Sequence, residues 1–164
     1  MNRSEINNES SLGGKRLILL VCSSGGHLAQ LYMLKPWWKK DARIWVTFNT
    51  TDALDRLAEE KVIPAHFPTT RNIFNFITNF LLAVNLFREY KPYLVLSTGA
   101  GVAFPFFLVA RAFRIPTVYI EVIDRIDSPS LTGRLCYPIA TKFLLQWQSQ
   151  KRFYRKGIVI GPLH

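Results

Sequence analysis

Acidic residues are scarce in this chain of 164 residues: 11 Asp and Glu stand against 21 Lys and Arg, a formal net charge of +10. Such a deficit implies an anionic partner, whether nucleic acid, a phosphorylated substrate or an anionic membrane surface. It deepens toward the end, where no acid follows Arg134. Cysteine is nearly absent. Cys22 and Cys136 lie far apart, each in an apolar stretch, so neither a disulfide framework nor a metal-ligand spacing exists. That suits a reducing compartment and two buried thiols. Long apolar runs are missing from the start of the chain. Positions 17–22 are too short for a signal-peptide core or a bilayer span. Membrane contact is therefore expected to be peripheral, on the cytoplasmic face.

Several fingerprints are also lacking. No G-x-G-x-x-G, no Gly-Lys-Ser/Thr phosphate loop and no G-x-S-x-G elbow occurs, which weakens dinucleotide, NTP-hydrolysis and serine-hydrolase readings. No helix-turn-helix, RRM or zinc pattern accompanies the basic charge, so nucleic acid is not the expected partner. No metal and no cofactor is implied.

What is present alternates. Apolar runs of strand length occur at 16–22, 43–48, 93–98, 116–121, 142–147 and 157–161. Helical patterns lie between them at 27–38, where Pro36 is expected to end the helix, at 50–60 with a Thr cap and an acidic first turn, at 71–90 and at 100–114. Alternation of this kind predicts an α/β fold with a doubly wound, Rossmann-like parallel sheet. The polar stretch 1–14 reads as a disordered tail, and 15–164 as one domain.

In such sheets ligands bind beyond the carboxyl ends of the strands. Three segments belong there: "SSGGH" (23–27), "STGAGV" (97–102) and "EVIDRIDSPS" (121–130). Glycines before a helix let backbone amides approach a phosphate, and the helix end adds partial positive charge. Ser24, Gly25, Gly26, Thr98, Gly99 and Gly101 are therefore candidate diphosphate-binding positions. His27, in the first turn of its helix, suits a base or a hydrogen-bond donor, and Glu121, at the end of a strand, a base or an acceptor from a sugar hydroxyl. Asp124 and Asp127 compete with Glu121 for that role.

The helix at 71–90 is unusual, because no charge occurs between Arg71 and Arg88. Asn72, Asn75, Thr78, Asn79 and Asn85 form its polar stripe; the rest is apolar. Either the helix is covered on both sides or it dips into a lipid interface. Arg71, Arg88 and Lys91 favour the interface, with Phe74, Phe76 and Phe80 as contacts.

"SSGGHL", "STGAGV", "YIE" and "SLTGRLCYPIATKFLLQWQ" occur in an order and spacing that resembles the acceptor-side subunit of two-component glycosyltransferases. The nearer branch is the PssD type of capsule and exopolysaccharide synthesis. Its relative is the anchoring subunit of the dolichol-linked UDP-GlcNAc transferase. The resemblance covers about residues 15–164. It implies the N-terminal, acceptor-binding half of a GT-B enzyme, with the chain stopping about where a linker to a second half would begin. A separate donor-binding subunit would bring the UDP-sugar, and the acceptor would be a polyprenyl-diphosphate-linked sugar. By similarity to the murein lipid-linked transferase, Gly25, Gly26 and His27 would lie at the acceptor diphosphate or the attacking hydroxyl, and the family glutamate matches Glu121. Tyr119, Ile120 and Val122 surround that glutamate here, and a polar tail stands where the eukaryotic branch has a membrane span. The alternative is a self-contained small nucleotide-sugar-binding enzyme, for which Asp52 is the one candidate ribose acid.

Overall fold

The run 17–21 is apolar at every position because helices cover both of its faces. In the computed structural model, which describes residues 16–163, β1 (Leu17–Val21) sends Ile18 and Leu20 into one core and Leu19 and Val21 into the other. Alternate side chains of a strand point to opposite faces. A strand buried on both sides must therefore be apolar throughout. The tail expected at 1–14 lies outside the described residues.

The remaining strands are β2 (Ala42–Thr47), β3 (Val62–Pro64), β4 (Leu94–Ser97), β5 (Thr117–Ile120), β6 (Lys142–Leu145) and β7 (Ile158–Val159). They form one sheet in the order β3-β2-β1-β4-β5-β6-β7, with every pairing parallel. The chain first winds outward from β1 to β3. It then returns to lay β4 against the other side of β1 and winds outward again. The crevice between the ends of β1 and β4 is thus the switch point where such sheets bind ligands.

Helices α1 (Gly26–Met33), α2 (Lys35–Trp38) and α3 (Thr51–Arg56) follow β1 and β2. Their residues Leu28, Leu31, Trp38 and Ala53 join one core. Helices α4 (Ile73–Tyr90), α5 (Ala103–Ala112) and α6 (Leu131–Cys136) supply the other, with Ala83, Phe87, Phe106, Phe107 and Cys136 buried. Both cysteines are buried, and desolvation pushes the Cys22 thiol up to about 12.

Two local expectations need correction. Pro36 does not close a single helix over 27–38. The first helix ends at Met33, and Pro36 sits in the first turn of α2. A proline's missing N–H costs nothing there. The helix expected over 50–60 is shorter, ending at Arg56, and leaves room for β3, which the sequence reading missed. Thr50 takes the extended backbone of a cap, but its hydroxyl donates to Asp52 Oδ1 (2.7 Å) and caps no amide.

The asparagines of α4 explain its polar stripe. Asn72 accepts from the Asn75 amide as the N-cap (3.0 Å). Asn75 donates to the Pro68 carbonyl (2.8 Å). Asn79, fully buried, accepts from the His66 amide and donates to its carbonyl, both at 2.9 Å. These side chains pin the segment after β3 onto the helix, whereas Thr78 and Asn85 stay exposed. The remaining face is open: Ile73, Phe74, Ile77 and Leu81 are 65, 79, 49 and 55% exposed. Among the described residues nothing covers that face.

Candidate functional site

A cleft of about 540 Å³ opens over the carboxyl ends of β1, β4 and β5. Ser23 and His27 line it from the β1 side, Ala100 and Gly101 from the β4 side, and Val122, Asp124 and Arg125 from the β5 side. Thr69, Thr70 and Arg71, between β3 and α4, form another wall, and Ser130, Leu131 and Thr132 at the start of α6 complete it. Of the residues expected from sequence to carry the site, His27, Gly101 and Asp124 reach this cleft. Arg71, expected only as a membrane contact, reaches it too.

His27 is held by a reciprocal pair of bonds. Its Nδ1 lies 2.8 Å from the Thr98 carbonyl oxygen, and the Thr98 hydroxyl donates to the His27 carbonyl (2.7 Å). A carbonyl can only accept, so Nδ1 must carry the proton. In the neutral ring Nε2 then keeps its lone pair. Gly99 permits this closeness: its φ is +106°, and a Cβ there would strike the Tyr119 hydroxyl. Its amide donates to the Ser97 hydroxyl (2.9 Å). Thr98 and Gly99 therefore position His27 and do not themselves line the cleft.

Ser24, Gly25 and Gly26 sit at the surface outside the cleft lining. The Gly25 amide, a proposed phosphate donor, already donates to Asp52 Oδ2 (2.9 Å). Bonds from the Thr50 hydroxyl and then from this amide hold the Asp52 carboxyl below its usual range. The glycine loop thus carries its own carboxylate. At Gly101 a Cβ would meet the Thr69 side chain at 2.8 Å. Its bareness lets the 69–71 segment close against the β4 loop.

Glu121 arrives at the same edge with its carboxylate turned inward and fully buried. Oε2 accepts from the Tyr154 hydroxyl (2.5 Å) and Oε1 from the Val122 amide (3.2 Å). The Ser130 hydroxyl donates to the same carboxylate, 2.9 Å from Oε1 and 3.0 Å from Oε2. Ser130 is also the N-cap of α6, accepting from the Gly133 amide (2.9 Å). A Cβ on Gly133 would collide with Glu121, Tyr154 and Ser130. Burial first, then the nearby Glu121 charge, pushes the Tyr119 hydroxyl well up; for Tyr154 burial and the bond to Glu121 do so. Both phenols stay neutral donors. Ser130 stands between Glu121 and the cleft. Glu121 itself is not among the residues lining the cleft. Asp124 reaches the cleft lining, whereas Asp127 pairs with Arg152 (3.1 Å) at the surface.

A glutamine cluster that the sequence reading missed shapes the β5 wall. Gln146 donates to the Glu121 carbonyl (3.0 Å) and to Gln30 (2.6 Å). Gln150 accepts from the Gln146 and Trp147 amides and donates to the Val122 carbonyl (3.1 Å). Trp147 donates to the Ile123 carbonyl (2.8 Å). The "QWQSQ" spelling was a signal for this. It offers four amide or indole side chains beside a strand end.

Beside the cleft, Phe74 is open, as are Arg71 and Arg88. Phe76 and Phe80 instead turn partly inward, Phe76 against the Phe104 ring (5.9 Å between centroids) and Phe80 against the core. Ile73, Ile77 and Leu81 take their place on the open face. Among the described residues no helix is long and apolar enough to cross a membrane.

The sheet order and the crevice define half of a GT-B fold. MurG of Acinetobacter baumannii superposes with a TM-score of 0.70 at 16% identity, over 82% of this chain and 42% of that one. The UDP-N-acetylglucosamine 2-epimerase of Rickettsia bellii gives 0.70 at 11%, over 90% and 45%. The sequence narrows the class further. Residues 60–163 match the family described as oligosaccharide biosynthesis protein Alg14 like, and the chain belongs to it. It is 25% identical over 116 residues to the human UDP-N-acetylglucosamine transferase subunit ALG14, covering 67% of this chain and 53% of that protein. The Candida albicans ALG14 subunit is 27% identical over 167 residues, covering 88% and 76%. The pyrophosphoryl-undecaprenol N-acetylglucosamine transferase of Halothermothrix orenii is 25% identical over 158 residues, covering 86% and 41%. The chain spans about half the length of the first of these curated relatives.

Proposed function

We propose that this chain, taken as one domain over 15–164, is the N-terminal, acceptor-binding half of an inverting glycosyltransferase divided between two chains, of the PssD type. It binds a polyprenyl-diphosphate-linked sugar at the cytoplasmic face of the membrane as a peripheral protein. A separate donor-binding subunit supplies the UDP-sugar. The observation that carries this reading is the adjacency of a polar cleft holding His27 and an open apolar helix face flanked by cations. A water-soluble acceptor would need the first and not the second.

In this reading the acceptor hydroxyl lies against His27 Nε2. That nitrogen takes the proton as the hydroxyl oxygen bonds to the anomeric carbon of the donor sugar. The bond from that carbon to the diphosphate oxygen breaks, and UDP leaves with the electron pair. The Thr98 carbonyl, bonded to Nδ1–H, steadies the imidazolium that forms. Glu121 acts at one remove, holding Ser130 and the start of α6.

His27→Asn tests the assignment, because an Asn side-chain N–H can still donate to Thr98 while nothing replaces Nε2. With both subunits present, transfer is expected to fall about 100-fold or more, the usual size of a general-base contribution, with assembly unchanged. Wild-type turnover would remove His27 from the chemistry. The self-contained nucleotide-sugar reading loses support because Asp52 is tied to Gly25 and Thr50. Tight binding of a UDP-sugar by the lone chain would restore it.

A further inference from the structure

The polar cleft is not the only concavity at this edge. A shallow groove of about 510 Å³ runs beside it, with Ile73, Phe76, Phe104 and Leu135 among its lining residues. Thr69 and Arg71 line both. Polar walls thus lie on one side of Arg71 and apolar walls on the other. Its guanidinium has no carboxylate partner among the described residues. Its backbone is left-handed, φ +51°, a conformation that favours Gly or Asn and costs other residues about 1–3 kcal/mol. The Gly25 amide, by contrast, is occupied by Asp52.

We infer that Arg71 is the diphosphate-binding residue of the acceptor site, with the sugar in the His27 cleft and the first isoprene units of the lipid in the groove under Phe104 and Leu135. This inference rests on the acceptor reading above and gives it a direction. An amphipathic ligand whose charge lies between a polar and an apolar end matches the order cleft, Arg71, groove. The planar guanidinium suits bidentate bonding to phosphate oxygens.

The test is calorimetric titration of the full chain with farnesyl diphosphate, inorganic diphosphate and farnesol. Farnesyl diphosphate is expected to bind at least 10-fold more tightly than either other probe. Arg71→Asn, which tolerates the left-handed backbone, should weaken both diphosphates about 10-fold or more, and Arg71→Lys less. Leu135→Glu, on a partly exposed side chain, should weaken farnesyl diphosphate and leave inorganic diphosphate unchanged. Unchanged farnesyl diphosphate binding in Arg71→Asn, or an unchanged farnesyl preference in Leu135→Glu, would overturn the inference. A transfer assay of the two-subunit complex separates the two claims. An active complex whose acceptor KM ignores Arg71→Asn contradicts the inference and keeps the acceptor reading. An inactive wild-type complex, with farnesyl diphosphate still bound through Arg71, supports the site and contradicts the acceptor reading.

Discussion

Glu121 satisfies three donors at once: the Val122 amide, the Ser130 hydroxyl and the Tyr154 hydroxyl. Removing it strands two hydroxyls in a region with no exposed surface at the carboxylate. Each buried donor left unpaired costs about 1–3 kcal/mol. Glu121→Ala is therefore expected to lower Tm by about 10 °C, taking a shift of about 2–4 °C per kcal/mol for a chain of this size. Thermal unfolding followed by circular dichroism checks it. A wild-type Tm with transfer abolished would return Glu121 to the chemistry. Residues two apart on a strand share a face, and in the structure Glu121 follows the core residue Tyr119. Ile120 is buried on the other face, so alternation alone did not announce the inward turn. The histidine was legible for a different reason: the first turn after a strand in this fold can only lie at the ligand edge. Its bond to Thr98 spans 71 residues of sequence, and no local pattern announces it.

At the scale of elements, strands with several consecutive apolar residues declared themselves, since burial on both faces leaves no polar positions to confuse the pattern. β3 did not. It has three residues, two of them apolar, and ends in Pro64 at the edge of the sheet, where proline is tolerated. Helix α4 was legible as a helix, but its orientation was not. Phe76 and Phe80 differ from Phe74 only in angle around the axis, and packing against α5 and the core decides which is covered. The open face is four residues wide, Ile73, Phe74, Ile77 and Leu81. Burying one large apolar side chain contributes about 1.5–3 kcal/mol. Phe74→Glu with Ile77→Glu should therefore reduce binding to anionic vesicles at least 100-fold, and Tm should move little because both side chains are already exposed. Flotation with vesicles containing phosphatidylglycerol measures this. Flotation equal to the wild type would remove α4 from the membrane interface.

For the whole molecule, the net charge of +10 and the open apolar face are two parts of one surface property. In the proposed reading, basic residues would draw the chain to an anionic leaflet at about 1 kcal/mol each, and the apolar face would then fix which side meets it. That side carries the mouth of the cleft, since Arg71 precedes α4 and lines the cleft as well. An acceptor anchored by a lipid tail would present its sugar there without leaving the bilayer. Asp52, the acid on which a nucleotide-sugar site in this chain would rely, is tied to Gly25 and Thr50. Division of the two substrates between two chains is the central claim. It is tested most directly by transfer of radiolabelled sugar from a UDP-sugar to chloroform-extractable lipid, on membranes containing this chain alone, the donor-binding subunit alone, or both. Labelled lipid is expected only with both. Full turnover by this chain alone would contradict it.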